Sequence, residues 1–126
     1  MFNLNRFIDV QKEDYNQALK EIKNGRKITH WMWYIFPQIK GLGESDISMY
    51  YGIDGIDEAR EYLKNEYLRN NLLEITQGLL ELDSKSAIDI FGYPDVYKLK
   101  SSMTLFHYAL KRWFCKEFLP FCCEIT

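Results

Sequence analysis

Apolar residues recur along this chain at helical spacing, and nowhere do they alternate with period two for long enough to build a sheet. Tyr15, Ala18, Leu19 and Ile22 share one helix face, and Gly25 follows where a C-terminal cap is expected. A shorter element at Leu4, Phe7 and Ile8 precedes them, with Asn3 as its N-cap. Leu68, Leu72, Ile75, Leu79 and Leu82 step by four, three, four and three and make the clearest amphipathic helix, with Glu74 and Glu81 on its opposite face. Val96, Leu99, Met103, Phe106 and Leu110 repeat the pattern behind Pro94-Asp95, a good helix start because proline suits the first turn and aspartate its positive end. Shorter helices are predicted over Ser45 to Tyr51, Asp57 to Leu63 and Ser86 to Phe91, separated by Gly52, Gly55 and the Gly92-Tyr93-Pro94 turn. With no repeat and no linker, the pattern predicts one all-α domain over residues 1–126, built from six to eight mostly short helices.

Composition adds one unusual feature. Aromatic residues make up 16% of the 126 positions, so rings either build the core or line a site. They are concentrated: six of the 20 fall in residues 30–51 and nine in residues 91–121. The net charge of −2 excludes a general binder of duplex nucleic acid, which needs an excess of Lys and Arg. The charge is unevenly spread, at +3 over residues 1–43, −7 over 44–89 and +2 over 90–126, which leaves basic ends able to hold a small anion. No apolar run approaches the roughly 20 residues of a membrane span, and the start of the chain lacks a signal-peptide core. Cys115, Cys122 and Cys123 then read as free thiols of a cytoplasmic protein. His30 and His107 lie too far from them in sequence for zinc-ligand spacing, so no metal site is expected.

Two segments carry candidate chemistry. Residues 26–43 place His30, Trp31, Trp33, Tyr34 and Phe36 within seven positions. On a helix Trp31 and Trp33 point about 200° apart, so one can be interior while the other faces a groove. Thr29 is a candidate N-cap for this turn, and Pro37 ends it. Arg26 and Lys27 supply cations, a tryptophan face stacks flat rings, and Gln38 offers polar recognition. Gly41-Leu42-Gly43 could bring backbone N–H groups to a ligand, but it lacks the spacing of any glycine-rich phosphate loop, and no cofactor is implied. In the second segment, Asp95 to Phe106, a core face of Val96, Leu99, Met103 and Phe106 would leave Lys98, Ser101, Ser102 and Leu105 opposite, with Lys98 and Ser102 as surface neighbours able to hold an anion; equally, Ser101 and Ser102 are small residues that allow close helix packing. His30 is the natural acid–base group if there is catalysis. His30, Asp89 and Ser101 or Ser102 form a conceivable nucleophilic set.

The stretch Gly25-Arg26-Lys27, His30-Trp31-Met32-Trp33, Phe36-Pro37-Gln38 and Gly41-Leu42-Gly43, followed by Asp89-Ile90-Phe91-Gly92 and Ser101-Ser102-Met103-Thr104-Leu105-Phe106, resembles the signature of a family of small bacterial proteins known as domain of unknown function 1810. The resemblance covers roughly residues 6–106 and implies a multihelical fold, without an established reaction. Members usually continue with an aspartate-containing final stretch, whereas this chain closes on Arg112-Trp113-Phe114-Cys115 and Phe121-Cys122-Cys123. In layout the His-Trp segment and the later Ser-Ser-Met helix are also loosely similar to the NAD- and ADP-ribose-associated N-glycosidases, although the acidic motif expected beside the histidine is absent.

Two functions are therefore expected. In the first, a cytoplasmic helical protein holds a small anionic, nucleotide-like ligand such as NAD, ADP-ribose or a phosphorylated metabolite, with hydrolase or N-glycosidase chemistry as its enzymatic form. Its site would combine Arg26, Lys27, Trp31 or Trp33, Gln38, Lys98, Ser101 and Ser102 with His30. In the second, the protein is a non-catalytic interaction module that self-associates through Trp113, Phe114, Phe118 and Phe121.

Overall fold

The computed structural model describes residues 2–82 and 85–110, so the three cysteines and the aromatic C-terminal stretch lie outside the described residues. Among the described residues there are seven α-helices: α1 (Asn5–Lys23), α2 (Met32–Ile35), α3 (Asp46–Tyr50), α4 (Gly55–Lys64), α5 (Glu66–Leu80), α6 (Ala87–Phe91) and α7 (Asp95–Leu110). None of them is long and apolar enough to cross a membrane. The short helices begin where local capping chemistry dictates. The Ser45 side chain accepts from the backbone of Ser48, Asn65 from that of Leu68, and Ser86 and Asp89 close a capping box.

The N-terminal elements differ from the sequence expectation. They form one 19-residue helix, because no glycine or proline interrupts residues 5–23. Leu4 takes the N-cap position, while the Asn3 side chain accepts from Asn5 N at 3.2 Å. Gly25, at φ +84°, then turns the chain. Helix α1 packs against α5 and α2, α4 packs against α5 and α7, and α7 also receives α6 and α2. Being covered on two sides, α7 buries Ser102 and Leu105 as well as Leu99, Met103 and Phe106. Its expected exposed face is therefore mostly interior.

The rings chiefly build the core. Phe7 meets Tyr62 edge-on at 5.2 Å, and Trp31 and Phe36 both stand edge-on to Phe91, at 6.2 and 5.9 Å. Three buried polar groups fix how the helices meet. Gln11 on α1 donates to Tyr34 O at 2.8 Å and Tyr62 Oη at 2.9 Å, and accepts from Asn71 at 3.0 Å, tying together α1, α2, α4 and α5. The Arg6 guanidinium makes a bidentate pair with Glu58 at 2.9 and 3.2 Å and donates to the carbonyls of Tyr50 and Gly52, each at 2.9 Å. That pair is nearly dry, and the extra acceptors offset its desolvation. A parallel bridge joins Ile39 to Ile53. A side chain at Gly52 would stand 2.8 Å from Lys40 Cα, so this crossing requires glycine.

The third group is Glu21, 2% exposed near the end of α1. Its carboxylate accepts from Ile28 N (2.7 Å), Thr29 N (3.0 Å), Thr29 Oγ1 (2.6 Å), Trp31 Nε1 (2.9 Å) and Gln17 Nε2 (2.9 Å). Thr29 thus serves Glu21 and does not cap α2, whose N-cap is Trp31. Burial alone would raise the pKa of this carboxyl, but the hydrogen bonds from Thr29, Gln17 and Ile28 outweigh it and hold the value at about 2. The sign of the pH linkage follows. With an ordinary value of 4.5 in the unfolded chain, the Glu21 contribution is complete above that pH and is lost as pH falls toward about 2. Urea titrations at a series of pH values should show this loss, and Glu21→Gln should flatten it while lowering stability at pH 7 by about 2–3 kcal/mol, since its amide sets donors against donors. An unchanged acid limb in Glu21→Gln would contradict the assignment.

Candidate functional site

The segment that Glu21 anchors runs directly into a cleft. After the Gly25 turn, Lys27 N donates to Ile90 O at 2.8 Å, which holds the strand-like stretch against the end of α6. Helix α2 then makes a single turn. Phe36, outside the helical region at φ −118° and ψ 76°, ends it before Pro37, in keeping with the restriction on a residue preceding proline. The two tryptophans differ in burial as expected, although Trp31 is the non-helical N-cap of α2 and does not share a helix with Trp33. Trp31 is buried with its indole N–H on Glu21, and Trp33 is half-buried on the opposite side.

Trp33 and the first turn of α7 form the cleft. Asp95 Oδ2 lies 2.7 Å from Lys27 Nζ and Asp95 Oδ1 lies 3.1 Å from Lys98 Nζ, so one carboxylate serves two ammonium groups. Lys27 Nζ also donates to Thr29 O at 2.7 Å and sits 5.1 Å from the centre of the Trp31 ring. Lys98 Nζ lies 4.5 Å above the Trp33 ring. The Lys27 side chain is only 6% exposed. Burial works to raise the Asp95 pKa, but hydrogen bonds from Lys27 and Lys98 prevail and hold it below the usual carboxylate range. His30 and Ile47, both exposed, stand on the rim, with Met32 and Tyr34 completing the walls. The His30 ring makes no hydrogen bond among the described residues; its carbonyl accepts from Tyr34 Oη, which also donates to Asp14. The enclosed space is about 80 Å³. The cleft opens to solvent on one side, and its inner part has room for a phosphate-sized group.

The structure brings together Lys27, His30, Trp33 and Lys98, with only part of Trp31 reaching the wall. Because Trp31 is interior and committed to Glu21, it offers no free face for stacking. Arg26 is exposed and does not line the cleft. Gln38 is 3% exposed, beside the Ile39–Ile53 bridge, and its Nε2 has no partner among the described residues. Ser102 is fully buried in the packing of α7, and its Oγ likewise has none. Ser101 faces a different groove, beside Lys100, Thr104, Leu105 and Tyr108. Asp89 is occupied in the α6 capping box. His30, Asp89 and the serines therefore do not share a cleft. The Gly41-Leu42-Gly43 turn has a packing role, since a Cβ on Gly43 would stand 2.8 Å from Ser48 Oγ and 3.0 Å from the Trp33 ring.

Asp95 is the site residue that spacing arguments passed over. Its position three residues before Lys98 was the available signal; its nearer partner, Lys27, is 68 positions away in sequence and gave none. Among the described residues no cluster of three His, Cys, Asp or Glu side chains could hold a metal ion.

Among curated proteins, no sequence matches the chain. A solved structure does: the crystal structure of the conserved hypothetical protein Rv1873 from Mycobacterium tuberculosis is 44% identical, covers 86% of this chain and 77% of its own, and superposes with a TM-score of 0.84. A family model described as "Protein of unknown function (DUF1810)" matches residues 1–122, and the chain belongs to that family.

Proposed function

We propose that the protein binds a small anionic, nucleotide-like ligand, with a phosphate of that ligand seated between Lys27 and Lys98. The observation that carries this reading is the two-to-one charge arrangement. Two ammonium groups converge on the single carboxylate of Asp95, so the cleft keeps one uncompensated positive charge in a largely dry setting. Structural ion pairs more often balance, and a buried excess charge is costly unless something answers it. The volume supports entry by a phosphate head, with the sugar and base remaining outside. There the half-exposed Trp33 indole offers an aromatic surface for a flat ring. The pyrophosphate of NAD or ADP-ribose fits this description, as does a phosphorylated metabolite carrying a ring.

His30 is placed to handle a proton at the rim. In the enzymatic form of this reading, it takes a proton from a water that attacks the anomeric carbon of the ribosyl group, and the C–N bond breaks with its electron pair leaving on the departing base. Binding does not require this step.

Thermal unfolding in the presence of NAD, ADP-ribose, nucleotides and sugar phosphates tests the reading. At a ligand concentration 100 times Kd, stabilisation should reach about 2.7 kcal/mol. It should be lost in Trp33→Ala and in Lys98→Met, which keeps the apolar stem of the lysine. His30→Ala should retain binding and abolish any release of nicotinamide from NAD. If no member of the panel raises the melting temperature, the proposal fails.

A further inference from the structure

The arrangement of Asp95 bears on which phosphates the cleft accepts. Asp95 takes a donor from each of the two lysines, and its side chain is 18% exposed. A ligand phosphate entering between Lys27 and Lys98 is thus brought close to a carboxylate held ionised by the same two ammonium groups. Of the charged groups that line the cleft, Lys27 and Lys98 contribute two positive charges and Asp95 one negative; the remaining titratable groups are His30 on the rim and Tyr34, whose hydroxyl donates to Asp14. The first negative charge of a ligand is answered. A second would lie uncompensated beside Asp95, in a partly buried site where repulsion by that carboxylate is screened less than in open water.

From this we infer that Asp95 is a specificity-determining residue that favours a phosphate entering the cleft with one negative charge, as a phosphodiester does, and disfavours dianionic phosphomonoesters. The inference rests on the reading of the cleft as an anion site. It gives a reason for the carboxylate to stand between two lysines that would otherwise bind any phosphate. Asp95 also lies in the first turn of α7, where an acidic side chain suits the helix dipole, so Asp95→Asn is expected to lose some stability without losing the fold.

The test uses two probes that share a ring and differ in charge. Methyl phenyl phosphate is a monoanion, and phenyl phosphate at pH 8 is a dianion, because a phosphomonoester has its second pKa near 6. Titration calorimetry at low salt, where screening is weak, gives both affinities. The wild-type protein should bind the diester more tightly than the monoester, by roughly tenfold, and Asp95→Asn should reverse the order by strengthening the monoester more than the diester. Lys98→Met should weaken both. Equal or tighter binding of phenyl phosphate by the wild-type protein overturns the inference while leaving the anion site standing. This comparison needs no variant and decides the matter if Asp95→Asn does not fold. If both esters bind in the expected order but Asp95→Asn leaves that order unchanged, Asp95 is not the selector and the inference is equally overturned. Binding of neither ester to the wild-type protein or Asp95→Asn overturns the anion-site reading itself, and this inference with it.

Discussion

The architecture around the cleft depends on one carboxylate that has no cation. Glu21 is buried, pairs with no lysine, arginine or histidine among the described residues, and is satisfied by five neutral donors. Four of those donors belong to Ile28, Thr29 and Trp31, so the carboxylate at the end of α1 sets the path of the chain that follows. Ionised, it turns a stretch with no helical hydrogen bonds of its own into a fixed support. Neutral, it would hold fewer of those donors and hold them less well, because charge-assisted hydrogen bonds are roughly twice as strong as neutral ones. From that fixed point Lys27 is carried to Asp95, Trp31 is committed to the core, and Trp33 is left facing the cleft.

The second constraint is electrostatic and lies across the cleft. Lys27 comes from the turn that Glu21 holds, while Asp95 and Lys98 come from the start of α7, so the Lys27–Asp95 pair joins parts of the chain far apart in sequence and the Asp95–Lys98 pair is local to the helix. The two tryptophans take the ammonium groups on their ring faces, which helps keep the lysines extended over apolar surface. Gly43 has the complementary role of leaving room for the Trp33 ring. Support and site are therefore made of adjoining residues. A disturbance at Glu21 is expected to reach the cleft through Lys27 and Trp31.

Local chemistry made much of the fold legible. Helices α3, α4, α6 and α7 begin and end close to where serine, proline, aspartate and glycine say they should, because caps and turns act over three or four residues. Helix α1 read as two pieces because its buried face carries Gln11 between Phe7 and Tyr15, and a buried glutamine imitates a break in an apolar stripe. Ser102 and Leu105 read as exposed because single-face periodicity assumes one neighbour, whereas α7 has neighbours on two sides. In the cleft, Trp31 is drawn inward by its non-helical N-cap backbone and its bond to Glu21, which helix geometry does not supply, whereas Lys27, His30, Trp33 and Lys98 were visible as residue types. Glu21 and Asp95 were not. A glutamate near the end of a helix and an aspartate at the start of one both have ordinary solvent-facing explanations, and their distinguishing partners are supplied only by tertiary structure.

The most direct test of the account follows the indole N–H resonances of a ¹⁵N-labelled protein during titration with ADP-ribose, with Trp33→Phe and Trp113→Phe used for assignment of the three signals. The account predicts that the Trp33 signal moves with saturation, while the Trp31 signal, locked on the Glu21 carboxylate, stays near its ligand-free position. A titration that moves Trp31 and leaves Trp33 unchanged, or that moves neither, would contradict it.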